Sequence, residues 1–169
     1  MKIEVAPAVT AEDLDQARTL MRSFVAWHRE LHSQDLELID EYFDARSFEE
    51  ELASLPGKYS PPAGCLLIAR CDGEYAGCVA LRPLEAQACE MKRMFVYPRF
   101  HGHGVGRALA EAVIRDARSI GYRVMRLDTS FRQRGAQALY AKMGFMRIEP
   151  YYEMPDALKN WLVFMQMSL

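Results

Sequence analysis

The stretch Val96-Tyr97-Pro98-Arg99-Phe100-His101-Gly102-His103-Gly104-Val105-Gly106-Arg107-Ala108-Leu109 decides how this chain is read. A strand-like run leads in, glycines follow, and an amphipathic helix begins. Glycine permits positive φ and lets backbone N–H groups approach a ligand closely. The helix N-terminus adds unsatisfied N–H groups and the positive end of a dipole. Together these favour a phosphate or pyrophosphate, although a glycine-rich turn also serves simply to bend a chain into a helix. The local charge agrees: Met91 to Ala110 holds four Lys/Arg, two His and no acid.

Working outward, Val105, Leu109, Ala112, Val113, Ala117 and Ile120 make the apolar stripe of the following helix, and Gly121 is its C-terminal stop. Ala88 to Val96 reads as the strand before the loop. Upstream, Cys65 to Ala69 and Tyr75 to Leu81 flank Asp72-Gly73, an antiparallel hairpin signature. Downstream, Arg123 to Asp128 is a strand, Gln133 to Met143 a helix and Phe145 to Ile148 a strand. Trp161 to Met167 closes the chain as a strand. At the N-terminus, Lys2 to Val5 is a short strand, and Thr10 with Asp13 caps a helix of about 20 residues. A second helical region, Leu36 to Leu55, falls in two pieces, with Ser47 and Glu50 expected to cap the latter. The order β-α-α-β-β-β-α-β-α-β-β predicts one domain of α/β (α+β) class, a mixed sheet with helices packed on it.

The 169 residues, 50% hydrophobic and 26% charged, suffice for one domain with a real core. Mean hydropathy of −0.17 and 11% aromatics exclude a disordered chain. No run approaches 18 apolar residues, and the N-terminus lacks the apolar stretch of a signal peptide, so a cytoplasmic location is expected. The net charge of −2 hides an asymmetry. Residues 1–55 carry 5 Lys/Arg against 13 Asp/Glu, and residues 56–169 carry 16 against 10. A near-neutral total argues against nucleic acid as the partner. Cys65, Cys71, Cys78 and Cys89 form no CxxC pair and read as buried free thiols. His28 and His32 stand four apart but lack a third ligand, so no metal is expected.

Three phosphate-binding templates compete for the loop. A Walker loop requires Lys and Ser/Thr after its last glycine, and Arg107-Ala108 follow Gly106. The dinucleotide fingerprint requires a third small residue, and those positions hold Arg107 or Leu109. Asp128, at a strand end, mimics the ribose-binding acid, but the glycine spacing fails. A coenzyme A pyrophosphate loop survives.

At this point the sequence resembles the GNAT superfamily of acyl-CoA-dependent N-acetyltransferases. The family loop, Gln/Arg-x-x-Gly-x-Gly/Ala after V-x-P, falls on His101-x-x-Gly104-x-Gly106 with Val96-x-Pro98. A second block, Ala136-x-x-Leu139-Tyr140-x-x-x-Gly144-Phe145, is similar to the family's next helix and strand. The two blocks cover about residues 75–150. His101 replaces the usual Arg or Gln, and Gln133 stands where relatives often have Asn.

The resemblance implies a mostly antiparallel GNAT-type sheet and acetyl-CoA as co-substrate. The acceptor would be a primary amine on a small molecule or peptide; a homodimer is a family-level expectation. It implies that Met94, Phe95 and Val96 present backbone groups to the pantetheine arm. Arg99, His101, Gly102, His103, Gly104, Val105, Gly106, Arg107 and Gln133 would complete the coenzyme site. Tyr140 is the expected general acid, since a phenol stays protonated near neutral pH. Glu90 is the expected base, against the alternative of a carboxylate paired with Lys92 or Arg93. Tyr151 and Tyr152 would wall the acceptor site. The competing expectations are an acyl-CoA-binding sensor without turnover and a nucleotide-binding protein using the same glycines.

Overall fold

Every residue from 1 to 169 is described in the computed structural model. Thr10 Oγ1 accepts from the Asp13 amide at 3.0 Å while Asp13 Oδ2 accepts from the Thr10 amide at 3.3 Å, a reciprocal capping box. It starts α1 (Ala11–Leu31) after the short strand β1 (Ile3–Pro7). Two short helices follow, α2 (Leu36–Tyr42) and α3 (Ala45–Ala53). The cap of α3 is Asp44, whose side chain accepts from the Ser47 amide at 3.0 Å. Ser47 is already inside the helix, so the expected Ser47/Glu50 cap is corrected by one turn.

Strands β2 (Cys65–Cys71) and β3 (Glu74–Glu85) are joined by Asp72 and Gly73, both at positive φ (48° and 89°). That is the pair of conformations a two-residue hairpin of correct twist demands. Next come β4 (Ala88–Val96), α4 (Val105–Ile120), β5 (Val124–Ser130), α5 (Arg134–Lys142), β6 (Met146–Ile148), α6 (Asp156–Trp161) and β7 (Leu162–Ser168). The last strand therefore begins after Trp161. Six residues behind Pro155 form a helix too short for its period to register in the sequence.

The strands make one seven-stranded sheet in the order β1-β2-β3-β4-β5-β7-β6, antiparallel except for β4 against β5. This is a single α/β domain with helices on both faces. Alternation along β2 shows how two cores arise: Leu67 and Ala69 pack under α4 with Leu109 and Val113, while Leu66 and Ile68 pack under α1 and α3 with Leu20, Met21 and Leu52. All four cysteines are buried and unpaired.

One irregularity opens the sheet. Cys78 faces Phe95 and Ala80 faces Lys92, so Val79 is opposed by both Arg93 and Met94. Arg93 takes the extra place at φ 57°, a β-bulge that bends β4. Beyond the bulge β4 leaves β5: their parallel pairing covers only Ala88–Glu90 against Val124–Arg126. A left-handed arginine costs about 1–2 kcal/mol. The guanidinium offsets it with two bonds to Glu51, at 2.8 and 3.0 Å, in a pair under 10% exposed on both sides.

Burial alone would raise the Glu51 pKa, but Arg93 and Lys58 overcome it and lower the carboxyl from 4.5 to about 2. A folded-state value below the unfolded one favours folding above pH 4.5, and that contribution is lost as pH falls through 2. Glu51→Ala should therefore cost about 3 kcal/mol in urea denaturation at pH 7, since it strands a buried arginine. Glu51→Gln should flatten the acid limb of stability between pH 4.5 and 2. Unchanged midpoints in both variants would show that the bulge does not depend on this pair.

Candidate active site

Pro98–Phe100 form a single helical turn after β4, and Gly102 and Gly104 follow at φ 79° and 89°. Gly104 is the N-cap of α4 and supplies no side chain to its first-turn amides. Those donors are left open to solvent or to an anion. At Gly106 a Cβ would meet nothing of the protein closer than 3.5 Å. The fold does not require glycine there, and its absence of a side chain leaves the face toward the groove open.

Where β4 and β5 part, a groove of about 620 Å³ runs between the glycine loop, β4 and α5. Met94, Phe95 and Val96 form one wall, His101, Gly102 and Gly104 to Arg107 the end, and Gln133, Leu139 and Tyr140 the other wall. Arg99 and His103 do not line it: Arg99 sits 3.5 Å from Glu74 and over the Tyr97 and Phe100 rings. His101 Nε2 lies 2.9 Å from the Val96 carbonyl oxygen, its ring turned back on its own loop and edge-on to Trp27. Arg107 pairs with Glu111 on the groove rim. Arg132 is bound to Asp35, whereas Arg134 lines the groove with no acidic partner. Phe24, Trp27 and Leu31 of α1 cover the groove, a role that no motif in the N-terminal helices signals.

At its inner end the groove meets a chamber of about 50 Å³. Phe24, Met94, Gln133 and Tyr140 line both. Tyr140 is 5% exposed, and burial followed by the charge of Asp128 pushes its phenol well above the ordinary value. Gln133 Oε1 accepts from Thr129 Oγ1 at 2.7 Å. In the same wall, His28 Nδ1 and Ser130 Oγ are buried without a hydrogen-bond partner. Burial is the main cause that lowers the His28 imidazole to about 4, so it is neutral at physiological pH.

The chamber's acid is Asp128, at the end of β5. It accepts from Tyr42 Oη at 2.5 Å and from Tyr152 Oη at 2.7 Å. Glu90 does not line the chamber or the groove. It is 1% exposed and bound to Arg82 at 2.8 Å, to Lys92 at 3.8 Å and to the Tyr151 hydroxyl. Burial would raise its pKa, but Lys92, Tyr151 and Arg82 together hold it below the usual carboxylate range. Tyr151 and Tyr152 both pack edge-on to Phe164, and Tyr152 lines the next pocket outward with its hydroxyl on Asp128. On the far side the chamber shares Tyr42, Lys92 and Arg93 with an outer pocket of about 450 Å³. A groove, a chamber and an outer pocket thus run in series through the split in the sheet.

A bent mixed sheet split beside a glycine loop, with a tyrosine between a long groove and a small polar chamber, defines an acyl-transfer fold. The family model "Acetyltransferase (GNAT) family" matches residues 20–145. The chain belongs to the GNAT family and is an acyltransferase. It is 33% identical over 155 residues to an uncharacterised N-acetyltransferase of Schizosaccharomyces pombe, with 90% of this chain and 88% of that one covered. A Streptococcus agalactiae acetyltransferase structure is 21% identical and superposes with a TM-score of 0.73 over 99% of this chain and 98% of the other. The PaiA N-acetyltransferase of Thermoplasma acidophilum, solved in complex with coenzyme A, is 17% identical with a TM-score of 0.73 over the whole of both chains.

Proposed function

We propose that the protein transfers an acetyl group from acetyl-CoA to a primary amine, both substrates being bound together. The carrying observation is Tyr140, placed where the long groove joins the chamber that holds Asp128. Coenzyme A in the Thermoplasma neighbour supports the groove as its site. The free amides at Gly104 to Arg107 and the unpaired Arg134 suit its phosphates.

Acyl transfer requires a neutral amine, stabilisation of the carbonyl oxygen and protonation of the departing thiolate. Past Glu90, β4 has no partner on its β5 side, so the backbone at Met94–Val96 is available to the pantetheine arm and thioester oxygen. Asp128 receives the amine and takes its proton as the C–N bond forms. Tyr140 gives its proton to sulfur as the C–S bond breaks. Asp128 replaces Glu90 in the base's role because it shares the chamber with Tyr140, whereas Glu90 is committed to Arg82, Lys92 and Tyr151. Glu90 instead fixes Tyr151 beside its neighbour Tyr152.

The test is acetyl-CoA turnover against a panel of primary amines, following free thiol and acetylated product. Product with at least one amine class is expected. Coenzyme A binding without any product would make the chain an acyl-CoA-binding module. Failure to bind coenzyme A would remove the groove assignment itself.

A further inference from the structure

Lys92 is the unusual group in the wall between the chamber and the outer pocket. Its side chain is 15% exposed, and its one ion pair, with Glu90, is loose. The nearest acid oxygen, on Glu90, is 3.8 Å away, and its hydrogen bond to Tyr42 Oη is 3.4 Å long. An ammonium has three donors; Lys92 spends one on that long bond and lies 5.4 Å from the centre of the Tyr42 ring, which leaves two donors for a guest. Glu90 is oriented by Arg82 and the Tyr151 hydroxyl, which hold its oxygens short of hydrogen-bond distance from Lys92. Asp128 takes one hydroxyl on each oxygen, from Tyr42 and Tyr152, and keeps lone pairs for a further donor. No carboxylate oxygen lies within hydrogen-bond distance of the ammonium, which lines both cavities.

Tyr42 Oη is the single group between them, touching Asp128 on one side and Lys92 on the other. An acid and a cation are thus set one hydroxyl apart at the point where an acceptor would enter. An α-amino acid carries the complementary pair, an ammonium for Asp128 and a carboxylate for Lys92. The two orphaned atoms, His28 Nδ1 and Ser130 Oγ, show that the chamber wall is equipped for a polar guest. The outer pocket adds Glu41 and Glu153, both exposed and without a cationic partner, whereas its arginines, Arg82 and Arg93, are paired with Glu90 and Glu51. They would face the acceptor's side chain and repel a second carboxylate there.

We infer that the acceptor is an α-amino acid with a neutral or basic side chain, its amine on Asp128 and its carboxylate on Lys92. The inference rests on the acetyltransferase assignment and adds the acceptor's class to it. Desolvation by burial lowers the Lys92 pKa, and Asp128 and Glu90 counter it. A bound carboxylate would add to that support.

The experiment compares amino acids with their decarboxylated counterparts as acceptors: phenylalanine with phenethylamine, tyrosine with tyramine, arginine with agmatine. Free glutamate serves as the acidic control. In the wild-type protein kcat/KM should be about 10- to 100-fold higher for each amino acid than for its amine, the worth of one charge-assisted contact at a desolvated site. Glutamate should be among the poorest. Lys92→Gln should bring each ratio within about threefold of unity while coenzyme A affinity stays unchanged. Ratios near one in the wild type, or an equal loss for both members of each pair in Lys92→Gln, overturn the carboxylate contact. The wild-type ratios stand whether or not the variant folds. Acetylation of the amines alone would overturn this inference and leave the acetyltransferase assignment intact. No product from any member would overturn both.

Discussion

Tyr140→Phe is expected to lower kcat by about 100- to 1,000-fold, the range typical of a removed general acid, while coenzyme A affinity stays within twofold. The hydroxyl is the only group deleted. The ring remains in its place against Phe145, with centroids 5.7 Å apart. The hydroxyl has no hydrogen-bond partner in the fold whose loss would unsettle the structure. Removing it should therefore leave the melting temperature almost unmoved. Its pKa is held well above the ordinary phenol value by burial and by Asp128, so the proton stays on oxygen throughout the working pH range. The shift keeps the donor loaded but makes it a weaker acid, so transfer must be driven by the developing thiolate, a far stronger acceptor than water. A further readout separates chemistry from packing. An acyl donor with a more acidic thiol needs less help on leaving, so the variant's deficit should shrink with it. Equal turnover of the wild-type and Tyr140→Phe proteins with several amines would assign the proton to another source.

The glycine loop, the Asp72-Gly73 hairpin and the Thr10/Asp13 capping box were readable because each is decided within a few residues. Positive φ at Gly104 and reciprocal bonds at Thr10 are local chemistry, and local chemistry leaves a local signature. The bulge at Arg93 has none. Nothing about an arginine between Lys92 and Met94 asks for left-handed backbone, and its support is Glu51, 42 residues earlier. The chamber was hidden for the same reason. Tyr42, Lys92 and Asp128 come from α2, β4 and β5, and only the sheet order brings them together, with Tyr152 reaching Asp128 from the loop before α6. Glu90 attracted attention as the one acid upstream of the loop on β4. Its true neighbours, Arg82 across β3 and Tyr151 from a distant loop, are cross-strand and tertiary facts. Asp128 was visible as an acid at a strand end, but the template that singled it out was the dinucleotide fingerprint, which the glycine spacing excluded. The α1 residues Phe24 and Trp27 were legible as helix positions, not as the cover of a groove.

Asp128→Asn tests the other half of the chemistry, and its expected signature is a changed pH profile as much as a lower rate. The side chain keeps its shape, and the Tyr42 and Tyr152 hydroxyls can rotate to accept from an amide as readily as they donate to a carboxylate. Folding and coenzyme A affinity should therefore persist. The amide has no basicity, so it cannot take the proton released as the C–N bond forms. A loss of about 100- to 1,000-fold in kcat at pH 7 is expected. Solvent hydroxide supplies an alternative route as pH rises, and a growing fraction of amine is already neutral. The ratio of wild-type to variant rates should consequently fall toward high pH, with the variant climbing more steeply. Glu90→Gln offers the contrast. It keeps a hydrogen-bonding side chain but leaves Arg82 and Lys92 without a counter-charge, so it should lower thermal stability without steepening the pH profile. If Glu90→Gln shows the steep profile and Asp128→Asn does not, the base is on β4 after all, reached through water. If both remain parallel to wild type, water alone carries the proton and Asp128 serves only to hold the amine.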